Sequence, residues 1–338
     1  MLLSKNSQLI LRHRKKFKTK KVFFSGNIQD DFPLSLSTMR TKINFHKYND
    51  CIDFKKKIMN NNIVHNNLLI SQEMIQNCDV IIYYWPKDKS EAKFQLMNII
   101  SCSPINTEIF IVGNNSSGVK SAPLMLKKWI ELEKIDSAKH SILISGLIKK
   151  KAIFVLEDFF KTHLWKNLII KSLPGVFGHK KIDSGSKLLA STFSNRITGK
   201  VLDIGCGTGF LSASLLYFSP DAILTLVDNN MYALKCSQYT LNSNKFNGKI
   251  VYSNLYSNVF KKFDLIISNP PFHNDLQINF NIIEKMICGA KKYLTKTGEL
   301  RFVTSRFINC HFLLNKFFQK YYVIKETSQY KVYQAFYK

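Results

Sequence analysis

Arginine is scarce in this chain of 338 residues: of its 49 basic residues only six, Arg12, Arg14, Arg40, Arg196, Arg301 and Arg306, carry a guanidinium. Acidic residues are also few, 23 against those 49, which leaves a formal charge of +26. A surplus of that size points to a polyanion, most often nucleic acid. The guanidinium fork is the better mark of selected phosphate recognition. Abundant lysine, asparagine and isoleucine are what an A+T-rich coding sequence yields whatever the function. Charge alone therefore admits RNA or DNA as a partner and establishes neither. Long apolar runs are absent: none approaches the roughly 18 residues that span a bilayer. No apolar core or small-residue cleavage site follows the basic N-terminus, so a secretory signal is not expected. The seven cysteines include no CxxC pair, which argues against a disulfide framework and a zinc ribbon, and no metal is expected. These absences describe a soluble cytoplasmic chain without a membrane segment.

What is present is enough apolar material, 45% hydrophobic and 13% aromatic, to bury a core in each half. In the C-terminal half KVLDIG (200–205), AILTLVD (222–228), GKIVYSN (248–254), FDLIISN (263–269) and ELRFVTS (299–305) read as short strands. Helix-length segments lie between them, over 209–218, 231–242 and 280–293. This alternation predicts an α/β fold with a doubly wound, mostly parallel sheet. The tail, 327–338, reads as a further strand or hairpin at the sheet edge.

The N-terminal half repeats the plan with KVFFSGN (21–27), CDVIIYYWPK (78–87) and EIFIVGNN (108–115). Gly26 aligns with Gly205 and Asp79 with Asp264. Val22 precedes Asp79 by 57 residues, and Val201 precedes Asp264 by 63. An internal duplication explains both matches. The boundary is expected between Lys150 and Leu173, giving units 1–160 and 161–338, with no Pro/Gly-rich linker. The densest charge, seven basic residues from Arg12 to Lys21, is either a solvated tail or an arm that contacts RNA.

Chemistry concentrates in the second half. VLDIGCGTGF (201–210) runs a strand through Asp203 into Gly205, Cys206, Gly207 and Gly209, where a ligand can approach the backbone without meeting a Cβ. The spacing is GxGxG, not the GxGxxG that brings a pyrophosphate to a helix start. Asp203 suits a positively charged or amino-bearing ligand. Asp228, ending the next strand, can accept from both hydroxyls of a ribose, and Asn254 sits where an amide could read an adenine edge. SNPPFH (268–273) ends the fourth strand, because two prolines cannot donate to a ladder. The restriction Pro271 places on Pro270 leaves the Asn269 amide and the Pro270 carbonyl as adjacent acceptors beside Phe272. That pair suits a planar substrate bearing an NH2 group, whose lone pair it would aim at an electrophile.

Together these motifs resemble class I S-adenosyl-L-methionine-dependent methyltransferases, and NPPF resembles those that methylate exocyclic amines. IQDDFP (28–33), IYYWPK (82–87), EAKFQLMN (91–98), SGVKSA (117–122), LPGVF (173–177), FDLIISNPPFH (263–273) and YKVYQAF (330–336) extend the resemblance over nearly the whole chain. They resemble the ribosomal RNA small subunit methyltransferase C family. The resemblance implies two tandem Rossmann-like methyltransferase domains, the first degenerate and serving RNA binding or structural support. It implies S-adenosyl-L-methionine as cofactor, and N2 methylation of a guanosine in 16S rRNA within the 30S subunit or its precursor, by a monomer. Asp203, Gly205, Cys206, Gly207, Gly209, Asp228, Asn254 and Phe177 would hold the cofactor, with Asp183 and Gly185 closing one side of its pocket. Asn269, Pro270, Pro271 and Phe272 would act on the substrate. In the first half Phe24, Ile28 and Asp30 stand where the second has Asp203, Gly207 and Gly209. Tyr84, Trp85 and Lys87 stand where it has Asn269, Pro270 and Phe272. Tyr83, Tyr84, Trp85 and Lys87 either contact RNA or, for the aromatics, pack internally. The rivals are a DNA adenine N6-methyltransferase, a glutamine methyltransferase and a non-catalytic ribosome-binding factor. An oxidoreductase is disfavoured by GxGxG.

Overall fold

The computed structural model describes residues 3–57, 62–271 and 276–336. The chain divides into two compact units, Met1–Phe159 and Phe160–Lys338. In the first, β1 (Lys21–Gly26), β2 (Arg40–Asn44), β3 (Ile63–His65), β4 (Val80–Tyr84), β5 (Glu108–Asn114), β6 (Glu133–Ala138) and β7 (Ser141–Leu147) form one seven-stranded sheet. Its order is β3-β2-β1-β4-β5-β7-β6. The first five strands are parallel, and β7 pairs antiparallel with both β5 and β6.

The second unit opens with a hairpin, β8 (Lys161–Trp165) and β9 (Leu168–Ser172), that the strand-and-helix pattern did not announce. Its sheet comprises β10 (Lys200–Ile204), β11 (Ile223–Asp228), β12 (Lys249–Tyr252), β13 (Phe263–Ser268), β14 (Leu294–Ser305), β15 (Lys320–Glu326) and β16 (Tyr330–Phe336). The order β12-β11-β10-β13-β14-β16-β15 repeats that of the first sheet strand for strand. The central strands β10 and β13 read as nearly continuous apolar runs because helices cover both faces. Leu202, Ile204 and Ile266 face one buried cluster, while Val201, Leu265 and Ile267 face the other.

A shared hydrogen bond supports the duplication. Lys21 N donates to Asp79 Oδ2 at 2.8 Å, and Lys200 N donates to Asp264 Oδ2 at 2.8 Å. In each half an aspartate one residue ahead of a central strand, or at its second position, ties down the first strand's start.

Three details differ from expectation. The tail strand β16 is not the edge; it pairs with β14 on one side and β15 on the other, so β15 is outermost. The run Arg12–Lys21 is not a solvated tail: a 3-10 helix over Arg14–Phe17 buries Phe17 edge-on against Phe110, with ring centroids 5.1 Å apart. Beside it Arg12 and His13 both reach Asp136 Oδ2, at 3.3 and 2.8 Å. The helix expected over 280–293 spans Leu276–Tyr293. No described helix is long and apolar enough to cross a membrane. Among the described residues no group of three or more His, Cys, Asp and Glu could hold a metal ion.

Candidate active site

Parallel strands of a doubly wound sheet gather functional loops at their C-terminal ends. Here those ends are Ile204, Asp228, Tyr252 and Ser268. After Ile204 the chain passes through Gly205, Gly207 and Gly209 at φ 70°, 55° and 74°. A Cβ on Gly205 would meet nothing within 4 Å, so that side of the loop is open. Gly209 has a different reason: a Cβ there would lie 2.9 Å from Ser237 Cα, on the helix Met231–Ser243. The loop is also tied down internally. Gly205 N donates to Val227 O at 2.8 Å, Gly207 N to Asp228 Oδ2 at 3.0 Å, and Ser237 Oγ to Gly207 O at 3.1 Å. Cys206 is buried, and desolvation, with Asp228 and Asp203 adding to it, pushes its thiol well above the ordinary range. It is therefore not a nucleophile.

Asp203 is fully buried. Its Oδ2 accepts from Ser212 Oγ at 2.7 Å, while Oδ1 is buried with no partner. Burial pushes its carboxyl up to about 7; the Ser212 hydrogen bond opposes this and the charge of Asp228 adds to it. A buried acceptor without a donor is costly, and a cationic or amino ligand would relieve it. Asp228 is only partly covered, and both its oxygens serve the backbone: Oδ2 accepts from Gly207 N and Oδ1 from Asn230 N at 2.9 Å. Desolvation raises its carboxyl, against the pull of those N–H groups. Each oxygen keeps a lone-pair direction for a further donor.

Asn254 lies two residues beyond β12, in a turn where its N–H donates to Ser257 Oγ at 3.0 Å and Leu255 follows at φ 49°. Phe177 belongs to the loop after β9, with its side chain 53% exposed. Its carbonyl oxygen would lie 4.0 Å from a Cβ on Gly207, which places this loop against the glycine turn.

Asn269 follows β13 directly. Its Nδ2 donates to Asp183 Oδ2 at 3.0 Å and to Ser186 Oγ at 2.7 Å, while its Oδ1 is buried without a partner. Of the residues that follow, Pro270 is buried and Pro271 exposed, and Phe272 lies outside the described residues. Asp183 therefore sits against the amide-bearing segment, and Gly185 makes room for the Tyr330 ring, whose carbons would lie 3.0 Å from a Cβ there. The sequence pattern did not single out Ser186. The only signal was Asp183 three residues ahead, a helix-start signature.

Comparison with known proteins supplies the family. Residues 167–334 match the model of the methyltransferase small domain, and residues 7–163 that of the methyltransferase small domain N-terminal region. The chain is 58% identical, over the full length of both, to ribosomal RNA small subunit methyltransferase C of Buchnera aphidicola subsp. Schizaphis graminum. This chain belongs to the ribosomal RNA small subunit methyltransferase C family. Escherichia coli (strain K12) has a relative of the same name at 39% identity, covering 97% of this chain and 95% of that protein. A solved structure of a T. Thermophilus 16S rRNA N2 methyltransferase, in complex with AdoMet and guanosine, matches 99% of this chain and 92% of its own. The TM-score is 0.79 at 17% identity, which shows a common fold. As a member of the family the chain is a methyltransferase, and both halves have the Rossmann-like architecture that the motifs implied.

The first half shows what its side chains do instead. Strand registers place Tyr84 opposite Gly26, as Asn269 follows the Ser268–Ile204 pair. Tyr84 is fully buried, and its hydroxyl lies 2.9 Å from Ser7 Oγ, which donates to Asp30 Oδ1 at 2.9 Å. Because a carboxylate only accepts, Ser7 gives its proton to Asp30 and Tyr84 gives its own to Ser7. Ser4 N donates to the other Asp30 oxygen at 2.5 Å, so the helix Lys5–Leu11 is anchored on these groups. Tyr83 Oη donates to Gln95 Oε1 at 2.7 Å, and Trp85 Nε1 to Ser117 O at 3.0 Å. These aromatics are core residues, which removes them as surfaces for stacking RNA. Only Lys87 of that group is exposed.

Proposed function

We propose that this chain transfers a methyl group from S-adenosyl-L-methionine to the exocyclic N2 amine of a guanosine in 16S rRNA. The reading rests on one observation above the others: Asn269 Oδ1, buried and without a partner, is an acceptor waiting for a donor. The open side of Gly205 and the unpartnered Asp203 Oδ1 fit an amino-bearing nucleoside ligand. Gly205, Cys206, Gly207 and Gly209 would hold it by backbone contacts, Asp228 by the ribose hydroxyls, Asn254 by the adenine edge and Phe177 as one wall. When bound, this cofactor supplies an electrophilic methyl on a sulfonium sulfur that departs as a neutral thioether.

The chain's own residues prepare the nucleophile. The guanine amine is weakly nucleophilic because its lone pair is delocalised into the ring. Asn269 Oδ1 and the Pro270 carbonyl accept hydrogen bonds from its two N–H groups, draw it toward tetrahedral geometry and aim the lone pair. Pro271 stiffens the segment, and Phe272 would hold the base plane. Nitrogen becomes acidic as the new bond forms, so its proton can leave to water without a dedicated base. A guanine within a helix would have to be flipped out to reach this segment.

The first unit, assigned here to residues 1–160, would support the fold and present exposed lysines to RNA, and the catalytic unit would be 161–338. The partner would be the small subunit or its precursor, in the cytoplasm, with the enzyme a monomer. The test is to supply labelled cofactor with undermodified 30S particles, free 16S rRNA or duplex DNA, and to map the methylated base. N2-methylguanosine in the RNA is the expected product. N6-methyladenine in DNA would instead establish the rival reading. Asn269→Ala should abolish multiple-turnover methylation, leaving only a slow residual rate seen in single turnover, with cofactor affinity nearly unchanged; wild-type turnover by that variant would overturn the assignment.

A further inference from the structure

We propose that Asp183, assisted by Ser186, is a positioning residue that fixes which way round the Asn269 amide stands, so that only its oxygen faces the substrate amine. The proposal rests on the methyl-transfer reading above and adds a determinant of its donor–acceptor sense.

A side-chain amide is nearly symmetric in shape, so its neighbours decide which end points where. Asp183 Oδ2 accepts at once from Ser186 N, at 2.8 Å, and from Asn269 Nδ2, at 3.0 Å. Ser186 Oγ, 2.7 Å from the same nitrogen, cannot decide the matter alone, because a hydroxyl can donate to a turned amide as well as accept from this one. An ionised carboxylate can only accept. Turning the amide would set its oxygen against the Asp183 oxygen, acceptor on acceptor, and would aim an NH2 group at the substrate's own NH2. Both contacts would be repulsive, so the carboxylate selects the productive sense. Asp183 is itself held by its place at the start of the helix Ser184–Ala190 and by the packing of Tyr330 against Gly185. Its charge also adds to the burial that raises the Tyr330 hydroxyl, an independent sign that the two lie close together.

The capping and positioning roles can be separated. In Asp183→Ser the shorter side chain still caps the helix by accepting from Ser186 N, since serine is a favoured capping residue, but it cannot also reach Asn269. The full-length variant should melt like the wild type, and its affinity for S-adenosyl-L-methionine should change far less than its methylation rate. Single-turnover methylation of undermodified 30S particles should slow by about 10- to 100-fold, the loss typical of a charge-assisted hydrogen bond. Asp183→Asn keeps an acceptor for both donors and should recover much of that loss. Added to Asn269→Ala, Asp183→Ser should slow the residual rate no further, because there is no amide left to position.

Wild-type turnover by Asp183→Ser would overturn the proposal, as would an equal loss in the Asn269→Ala background. A weakened cofactor affinity at unchanged maximal rate would also overturn it, by moving Asp183 to the cofactor side. Failure of the functional reading is a separate result: the wild-type enzyme would then leave no N2-methylguanosine in the particles.

Discussion

Replacing Asp203 by asparagine turns its buried carboxylate into a measurable pH dependence. Asp203 has no exposed surface and one oxygen without a partner, and burial pushes its carboxyl up to about 7 from an ordinary 3.8. At 1.36 kcal/mol per unit, ionising it in the folded chain costs about 4 kcal/mol. For a carboxyl raised by folding, the native state holds its proton longer than the unfolded state does. Stability therefore falls as pH rises from about 4 and levels off above about 7. Between pH 5 and pH 8 this single group should remove roughly 2 to 3 kcal/mol, or some 5 to 10 °C of melting temperature for a unit of this size. Asparagine cannot ionise. Its oxygen can keep the Ser212 hydrogen bond, at the expense of an unpaired NH2 group whose cost does not vary with pH.

The assay is thermal or urea unfolding of ligand-free wild type and Asp203→Asn at pH 5 and pH 8, comparing the two pH-dependent losses. Titrating groups remote from Asp203, including Glu91, which burial pushes up to about 7, are common to both proteins and cancel, and only the coupled neighbour Asp228 responds to the change itself. The wild type should lose more stability than the variant over this range. Equal losses would mean that Asp203 is ionised at pH 5 already, and the inference of an unrelieved buried acceptor would fall.

The same group predicts that affinity for S-adenosyl-L-methionine rises as pH passes through about 7 in the wild type and stays flat through that window in Asp203→Asn, as read by titration calorimetry. Gly205→Ala and Gly209→Val should fail in different ways. The first places a methyl in open space at φ 70°, so it should cost only about 1 kcal/mol of stability but lower cofactor affinity at least tenfold. The second drives a branched side chain into the Ser237 backbone at φ 74° and should cost roughly 3 kcal/mol or more in a melt. Tyr84→Asn should destabilise the first unit by about 3 to 5 kcal/mol, as large-to-small core changes do, and cofactor stoichiometry should stay at one per chain.

Strand periodicity, glycine punctuation and the two repeated landmarks made the duplicated sheet readable from the residues. Asp79 and Asp264 were matched by position alone, and their identical hydrogen bonds to Lys21 and Lys200 explain why the match exists. The site was readable as a set of residue types, because Gly205, Asp203 and Asn269 each satisfy a local requirement of a strand end. The partner of the Asn269 amide was not, since Asp183 and Ser186 lie more than 80 residues away and meet it only through the fold. Tyr83, Tyr84 and Trp85 were ambiguous for a related reason: an aromatic at a strand end packs inward or stacks on a ligand depending on what covers it. The N-terminal helix that reaches Tyr84 is far away in sequence. The hairpin β8–β9 was hidden because its strands are short and gain stability from tertiary partners, with Trp165 edge-on to Phe210, Ile169 N bonded to Asn244 Oδ1 and Lys171 N to Thr240 Oγ1, each bond at 2.9 Å.

The two halves show what separates a site from a core on one backbone. At matched positions, Asn269 leaves an oxygen buried and unpaired, whereas Tyr84 passes its proton through Ser7 to Asp30 and closes the circuit. Asp228 keeps two oxygens at a partly open strand end; its register counterpart Phe45 is buried with its ring 4.7 Å from that of Phe54. Asp203 bears an unrelieved acceptor where Phe24 packs into a buried apolar cluster. Each change in the first half removes a group that would be costly to bury without a ligand. The second half retains two such groups with an unpaired oxygen, Asp203 and Asn269, which is a stability deficit in the ligand-free fold. Buried atoms without a partner occur in the first half as well, at Asn6, His65 and Ser141, so it is their place at the matched strand ends, Asp203 and Asn269, that marks the working half. The glycines permit a close approach, and the unpaired acceptors at Asp203 and Asn269 specify which donors must arrive.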